Sequence, residues 1–161
     1  ALGDSLAIAS MKFKKFDKID FKKLHPAGSL GAQLRTVEDI MITGKKIPFV
    51  KENINIDTAL KAISKKKLGV LFIQKNNITT GILTDGDIKR ISQKISDFKK
   101  TKIKSVMKKN PLSVDKDTLA AKALEIMNTN RITSLCVHKG KQKKRTIGVI
   151  HIHNILNANI S

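Results

Sequence analysis

Gly81-Ile82-Leu83-Thr84-Asp85-Gly86-Asp87 reads as a strand running into a polar turn, and the chain repeats it as Gly148-Val149-Ile150-His151-Ile152-His153-Asn154. In each stretch a glycine precedes two β-forming residues, and two polar groups three positions apart stand where a helix would start. The likeness continues upstream, where Ala59-Leu60-Lys61 to Leu71-Phe72-Ile73 matches Ala123-Leu124-Glu125 to Leu135-Cys136-Val137. A unit of about 60 residues buries little of its own surface, and duplication lets two copies cover each other. The repeat therefore predicts two similar α/β units in a pseudo-two-fold pair, the organisation of a binding or assembly module.

Outward from the motif, residues 37–41 open the first unit as a short helix, and residues 47–50 are extended around Pro48. Asp57 is placed to cap a helix bearing Leu60 and Ile63, which Lys65, Lys66 and Lys67 close at the negative end of its dipole. Residues 70–73 form a buried strand, Asn76-Asn77 a turn and residues 80–83 a second strand, after which Asp87 caps a last helix carrying Ile88 and Ile91. The second unit follows the same order, with Ser105-Val106-Met107, an extended stretch at 111–114, and a helix through Leu124 and Met127 capped by Asp117. Its hairpin tip, 139–145, is longer and more basic, as a solvated tip allows. The units are thus set at 37–100 and 103–161, behind a segment over 1–35. There Leu2, Leu6, Ala9, Phe13 and Phe16 make one apolar helical stripe in need of a partner, and His25-Pro26-Ala27-Gly28-Ser29-Leu30-Gly31 breaks the pattern.

With 161 residues, 40% apolar and 28% charged, the chain has the balance of a soluble globular protein. Its apolar runs fall well short of the roughly 20 residues of a membrane span. The opening residues lack the charged stretch and apolar core of a signal peptide. Cys136 has no second cysteine to pair with and sits in an apolar strand, which implies a packing role in a reducing, cytoplasmic setting. A net charge of +19 raises nucleic acid as a partner. Against it stand the shortage of arginine, with only Arg35, Arg90, Arg131 and Arg145 among 32 basic residues, and the absence of Trp and Tyr. The charge is read as a field that draws in anionic ligands. His151 and His153, two apart on a strand, would share a face, but beyond His138 no further ligand stands near, so no metal site is expected.

The order helix, strand, helix, two strands, helix, with a Gly-x-x-Thr-x-x-Asp turn after the last strand, resembles the cystathionine-β-synthase (CBS) domain family. Residues 37–161 resemble a CBS pair. The resemblance implies an α/β (α+β) fold, a small sheet with helices on one face in each copy, and paired clefts that in many members bind adenine nucleotides. It implies nucleotide contacts at Thr84 and Asp87, where the hydroxyl and helix-start amides can hold phosphate and the carboxylate can accept from ribose hydroxyls. The matching second-copy positions are His151 and Asn154, which removes the acidic ribose acceptor. Simple capping of the turn by Thr84 and Asp87 is the alternative.

The leading segment adds a second likeness. Ala1-Leu2-Gly3-Asp4-Ser5-Leu6-Ala7, Asp20-Phe21 and the loop from His25 to Gly31, running into a pair that carries Thr84-Asp85-Gly86-Asp87, closely resemble the D-arabinose 5-phosphate isomerase family. Those proteins carry a sugar-isomerase (SIS) domain followed by a CBS pair. This resemblance implies that His25, in a His-Pro-x-Gly loop, is an active-site residue, with Ala27 where many members have glycine. Moving a proton between adjacent carbons of a sugar phosphate requires a base, and an imidazole titrating near neutrality suits the task. Also implied are a sugar-phosphate substrate, interconversion of D-ribulose 5-phosphate and D-arabinose 5-phosphate for the lipopolysaccharide sugar Kdo, and a homo-oligomer such as a tetramer. No cofactor is required, and a regulatory nucleotide or nucleotide-sugar is placed at the CBS pair. The chain is expected to begin in the last helices of a truncated SIS domain and to be inactive by itself. The alternative is a stand-alone regulatory CBS-pair module that binds an adenine or cytidine nucleotide without catalysis.

Overall fold

The computed structural model describes residues 34–160. The expected helix at 2–16, the His25 loop and residues 1–33 of the expected sugar-isomerase segment 1–35 lie outside the described residues. The first unit runs α1 (Val37–Ile40), β1 (Ile42–Thr43), a 3-10 turn at Gly44–Lys46, β2 (Phe49–Lys51), α2 (Ile56–Lys66), β3 (Val70–Lys75), β4 (Ile78–Thr84) and α3 (Asp85–Ser92). A 3-10 turn at Phe98–Lys100 leads to α4 (Ile103–Val106), β5 (Lys108–Lys109), β6 (Ser113–Asp115), α5 (Ala120–Asn130), β7 (Ser134–His138), β8 (Gly148–His151) and α6 (Ile152–Asn157). Asn76 and Asn77 hold the β3–β4 hairpin turn with φ of 50° and 60°, a left-handed geometry that asparagine tolerates better than most residues. Among the described residues no helix is long and apolar enough to cross a membrane.

The strands form two four-stranded sheets, ordered β2-β3-β4-β5 and β1-β8-β7-β6. Central strands covered on both faces are apolar throughout instead of alternating, and Val70, Leu71, Phe72 and Ile73 are all buried. Successive side chains still part company. Leu71 and Ile73 pack with Ala59 and Ile63 of α2 and Ile88 of α3, while Val70 and Phe72 pack with Cys136 and Val149 of the other sheet. In the second unit Leu135, Val137 and Ile150 face Ala123, Met127 and Ile155 on the helices. The result is four layers, helices, sheet, sheet, helices, in which each unit supplies one wall of the core between the sheets. Cys136 lies in that core, and burial pushes its thiol up to about 11, consistent with packing over reactivity.

Each unit's leading strand completes the other unit's sheet. β1 pairs antiparallel with β8 (Ile42 opposite Val149), and β5 pairs antiparallel with β4 (Ile82 opposite Lys108). The glycine of the repeated motif is explained by this crossing. A Cβ added at Gly81 would lie 2.8 Å from Met107 Cγ, and one at Gly148 would lie 3.1 Å from Met41 Cγ, with the methionine sulfur nearer still in both cases. Glycine is needed there because the partner unit's methionine lies across the strand.

Three caps differ from expectation. Helix α2 starts behind Asn55 and α5 behind Leu119, neither with a side-chain cap bond. Asp57 instead lies inside α2, paired with Lys61 at 2.8 Å, and Asp117 precedes α5, beside Lys116 at 3.1 Å. The starts are fixed by backbone bonds from the stretches that lead into the opposite unit: the Ile56 amide donates to Thr101 O, just ahead of the second unit, at 3.0 Å, and the Ala120 amide to Arg35 O, just ahead of the first, at 2.9 Å. These bonds satisfy first-turn amides that a carboxylate would otherwise serve. The third difference is at α3, where Thr84, not Asp87, is the N-cap and Asp87 closes the cap from the third helical position. The two histidines are also placed differently, since β8 ends at His151 and His153 belongs to α6.

Candidate functional site

At Thr84 the extended backbone of β4 turns into α3, because the threonine and Asp87 satisfy each other's free groups. The Thr84 hydroxyl accepts from the Asp87 amide at 3.2 Å, and Asp87 Oδ2 accepts from the Thr84 amide at 3.1 Å and the Thr84 hydroxyl at 2.7 Å. Asp87 Oδ1 accepts from Arg90, one turn along the same helix, and from Lys108 Nζ at 3.0 Å. Lys108 belongs to β5, so this carboxylate ties the first unit to the strand it borrows from the second. Burial by itself pushes the Asp87 carboxyl up, but the Thr84 hydroxyl, Lys108, the Thr84 amide and Arg90 outweigh it and hold it below the usual carboxylate range.

This junction forms one side of a cleft of about 490 Å³ where the two sheets part. Val70, Ile82, Pro111, Leu112 and Ile132 give it apolar walls, and Arg90, Lys108, Lys109 and Arg131 give it positive charge. Thr84, Thr133 and Ser134 add hydroxyls. Ser134 is 5% exposed, and its Oγ is buried without a hydrogen-bond partner. A buried hydroxyl left unsatisfied is uncommon in a folded protein and suits a group that a bound molecule would engage. Apolar walls with a few convergent polar groups, on this scale, are the make-up of a small-molecule site, and the cations select an anionic molecule.

The sequence-predicted residues fall in three places. Thr84 is on the cleft wall. Asp87 is 5% exposed and lies behind that wall, with both oxygens engaged inside the protein. His151 and Asn154 form the equivalent cap of the second unit, where the His151 amide donates to Asn154 Oδ1 at 3.1 Å and His151 Nδ1 accepts the His153 amide at 3.2 Å. His151 stands opposite Ser134 in the β7–β8 ladder. Burial, and then the neighbouring His153, push its imidazole below the ordinary value, which fits a ring that must stay unprotonated at Nδ1 to accept. The His151 and His153 rings lie 4.9 Å apart, and among the described residues no group of three or more His, Cys, Asp or Glu comes together to hold a metal. His25 lies outside the described residues.

Sequence reading missed Arg90, Arg131, Lys108 and Ser134. Two of them carried a signal: arginine is scarce in this chain, and two of its four arginines line one cleft. Lys108 carried none, being one lysine among many until strand exchange brings it to Asp87.

Known proteins share this fold and sequence pattern. Arabinose 5-phosphate isomerase KdsD of Francisella tularensis subsp. tularensis is 41% identical over 156 residues, covering 96% of this chain and 47% of that protein. The KdsD of Escherichia coli strain K12 is 37% identical over 161 residues, covering 99% of this chain and 48% of that protein. The chain thus spans about half the length of the curated relatives it matches. Among solved structures, CBSX2 in complex with AMP superimposes with a TM-score of 0.68 at 24% identity, covering 77% of this chain and 95% of that one. The CBS domain pair of protein MJ0100, in complex with 5′-methylthioadenosine and S-adenosyl-L-methionine, superimposes with a TM-score of 0.66 at 22% identity, covering 77% and 94%. The CBS-domain pattern matches twice, at residues 37–94 and 103–161, on the two halves that trade strands around the cleft, and the chain therefore belongs to the CBS-domain family as a CBS pair.

Proposed function

We propose that this chain is the CBS-pair portion of a sugar-phosphate isomerase that interconverts D-arabinose 5-phosphate and D-ribulose 5-phosphate, and that its cleft binds a regulatory nucleotide or nucleotide-sugar. The observation that carries the ligand reading is the cleft itself, where four cations, apolar walls and the unpartnered Ser134 hydroxyl converge. An apolar base, a sugar with polar edges and a phosphate match those three components. The adenosine ligands of CBSX2 and MJ0100 support the same class of molecule. The isomerase reading is supported by the likeness to KdsD along almost the whole chain. In it His25 serves as an acid-base group of the sugar-isomerase part, and the CBS pair senses a metabolite or holds subunits of a homo-oligomer together.

A thermal-shift series with AMP, ATP and CMP tests the cleft, since a ligand at about 100 times its dissociation constant adds about 2.7 kcal/mol to stability. No shift with any of them would overturn the ligand reading. Assay of the full-length parent protein for ribulose 5-phosphate isomerisation tests the other half. Turnover that is lost in His25→Asn is the expected result, and a parent without turnover would leave a regulatory module alone.

A further inference from the structure

The two units build one ion pair with its charges exchanged. In the second unit Lys116 Nζ reaches Glu38 of α1 at 2.5 Å and Asp117 at 3.1 Å, so one cation meets two carboxylates. The matching positions in the first are Glu52, just after β2, and Lys104 of α4. Glu52 is 8% exposed, and its Oε1 lies 3.4 Å from Lys75 Nζ and 3.7 Å from Lys104 Nζ. Both distances exceed a direct hydrogen bond, and Oε2 has no partner among the described residues. Glu38 and Lys116 show that one anion and one cation suffice to tether the units here. The surplus of positive charge around Glu52 is therefore not demanded by the tether.

That surplus lines a cavity of about 330 Å³, where Lys109, Lys144 and Thr80 join Glu52, Lys75 and Lys104. Lys144 arrives on the basic hairpin tip of the second unit, which is fastened to the first. The Thr79 amide donates to Lys144 O at 2.9 Å, and the buried Thr79 hydroxyl donates to that of Thr146 at 2.7 Å. Lys109 and Lys144 have no ion-pair partner among the described residues. The Thr80 hydroxyl gives its proton to Ile73 O at 3.3 Å and keeps its acceptor side. The cavity thus offers several ammonium donors and two oxygen acceptors. Lys109 and Asn110 also border the cleft described above, but Thr80 stands at the other end of β4 from Thr84, about 13 Å along the strand.

We propose that this cavity is a second ligand site, separate from the cleft, for a small phosphorylated compound that carries hydroxyl groups, the chemistry of a sugar phosphate. Lys75, Lys104 and Lys144 hold the phosphate, and Glu52 Oε2 and Thr80 Oγ1 accept from the hydroxyls. Lysines are point charges that take phosphate in many orientations, so the two acceptors supply the selectivity. A bare anion is repelled by Glu52, whereas a hydroxyl group gains a charge-assisted bond from it. The site does not depend on what occupies the cleft.

Amide NMR of the nitrogen-labelled 161-residue chain, titrated at about 150 mM salt with inorganic phosphate, ribose 5-phosphate and ribitol, tests the site. The amides of Lys75, Thr80 and Lys104 should shift, with ribose 5-phosphate bound about tenfold more tightly than phosphate and ribitol more weakly than either. Saturating AMP should leave those shifts in place. Lys75→Gln and Lys104→Gln, at side chains 58% exposed, should each weaken both phosphorylated probes about fivefold. Glu52→Gln should bind inorganic phosphate at least as tightly as the native chain, while the advantage of ribose 5-phosphate falls to about twofold. The amide spectrum itself reports whether each variant is folded. Shifts spread evenly over the chain's lysines would mean counterion screening alone and would overturn the site. Shifts confined to the cleft around Thr84 and Ser134, or no shift at all, would overturn it too. An unchanged advantage of ribose 5-phosphate in Glu52→Gln would remove Glu52 as the hydroxyl acceptor and sink the assignment of ligand class.

Discussion

His151 shows how one substitution in a repeated motif changes the physics while keeping the fold. The threonine at position 84 caps its helix at any ordinary pH, whereas His151 caps only with Nδ1 unprotonated. Its folded pKa lies below the ordinary 6.5, so as pH falls the unfolded chain takes up the proton first. This contribution is complete above about pH 6.5 and is lost as pH falls through the lowered folded value. Urea unfolding of His151→Thr should therefore show a smaller drop in stability between about pH 7 and about pH 5 than the native chain, because a threonine hydroxyl accepts the helix amide without titrating in that range. An unchanged pH profile would mean that the ring's protonation is not resisted by the cap. The sequence identified the position as divergent, but whether the imidazole accepts or donates follows only from the distance to the His153 amide.

The elements themselves were largely legible. Helix 56–66 and strand 70–75 follow from apolar spacing and β-formers, and the Asn76-Asn77 turn from its residue types. The starts of α2 and α5 were less so, because their first amides are satisfied by the carbonyls of Thr101 and Arg35, which lie just ahead of the opposite unit, and not by Asp57 or Asp117. The motif glycines have the same origin. In the sequence Gly81 reads only as one residue of the strand before the polar turn, yet its role is to let Met107, just ahead of the exchanged β5, lie across β4. Gly81→Ala should destabilise the chain by about 1–3 kcal/mol through overpacking, measured by urea denaturation, with part of the loss recovered in the double variant with Met107→Ala. Additive effects of the two substitutions would dissociate the glycine from the methionine.

At the scale of the molecule, each half is unfinished without the other. A polypeptide of residues 37–100 would lack β5 and would expose Val70 and Phe72, which the second sheet covers. It should show no cooperative thermal transition by circular dichroism, whereas the whole chain should unfold in one. A cooperative transition in the half chain would show that exchange and the shared core are dispensable. The sequence by itself determined that there are two α/β units, their order of elements, their inequality at Thr84 and Asp87 against His151 and Asn154, and the family resemblance, because these depend on local periodicity and turn chemistry. Only the tertiary structure decided which unit each leading strand completes and that Lys108, Arg131 and Ser134 share a cleft with Thr84. It also decided that Asp87 spends its acceptors within the protein. Those outcomes depend on contacts between residues far apart in the chain, and no local pattern encodes which of many lysines a strand exchange will bring to one buried carboxylate.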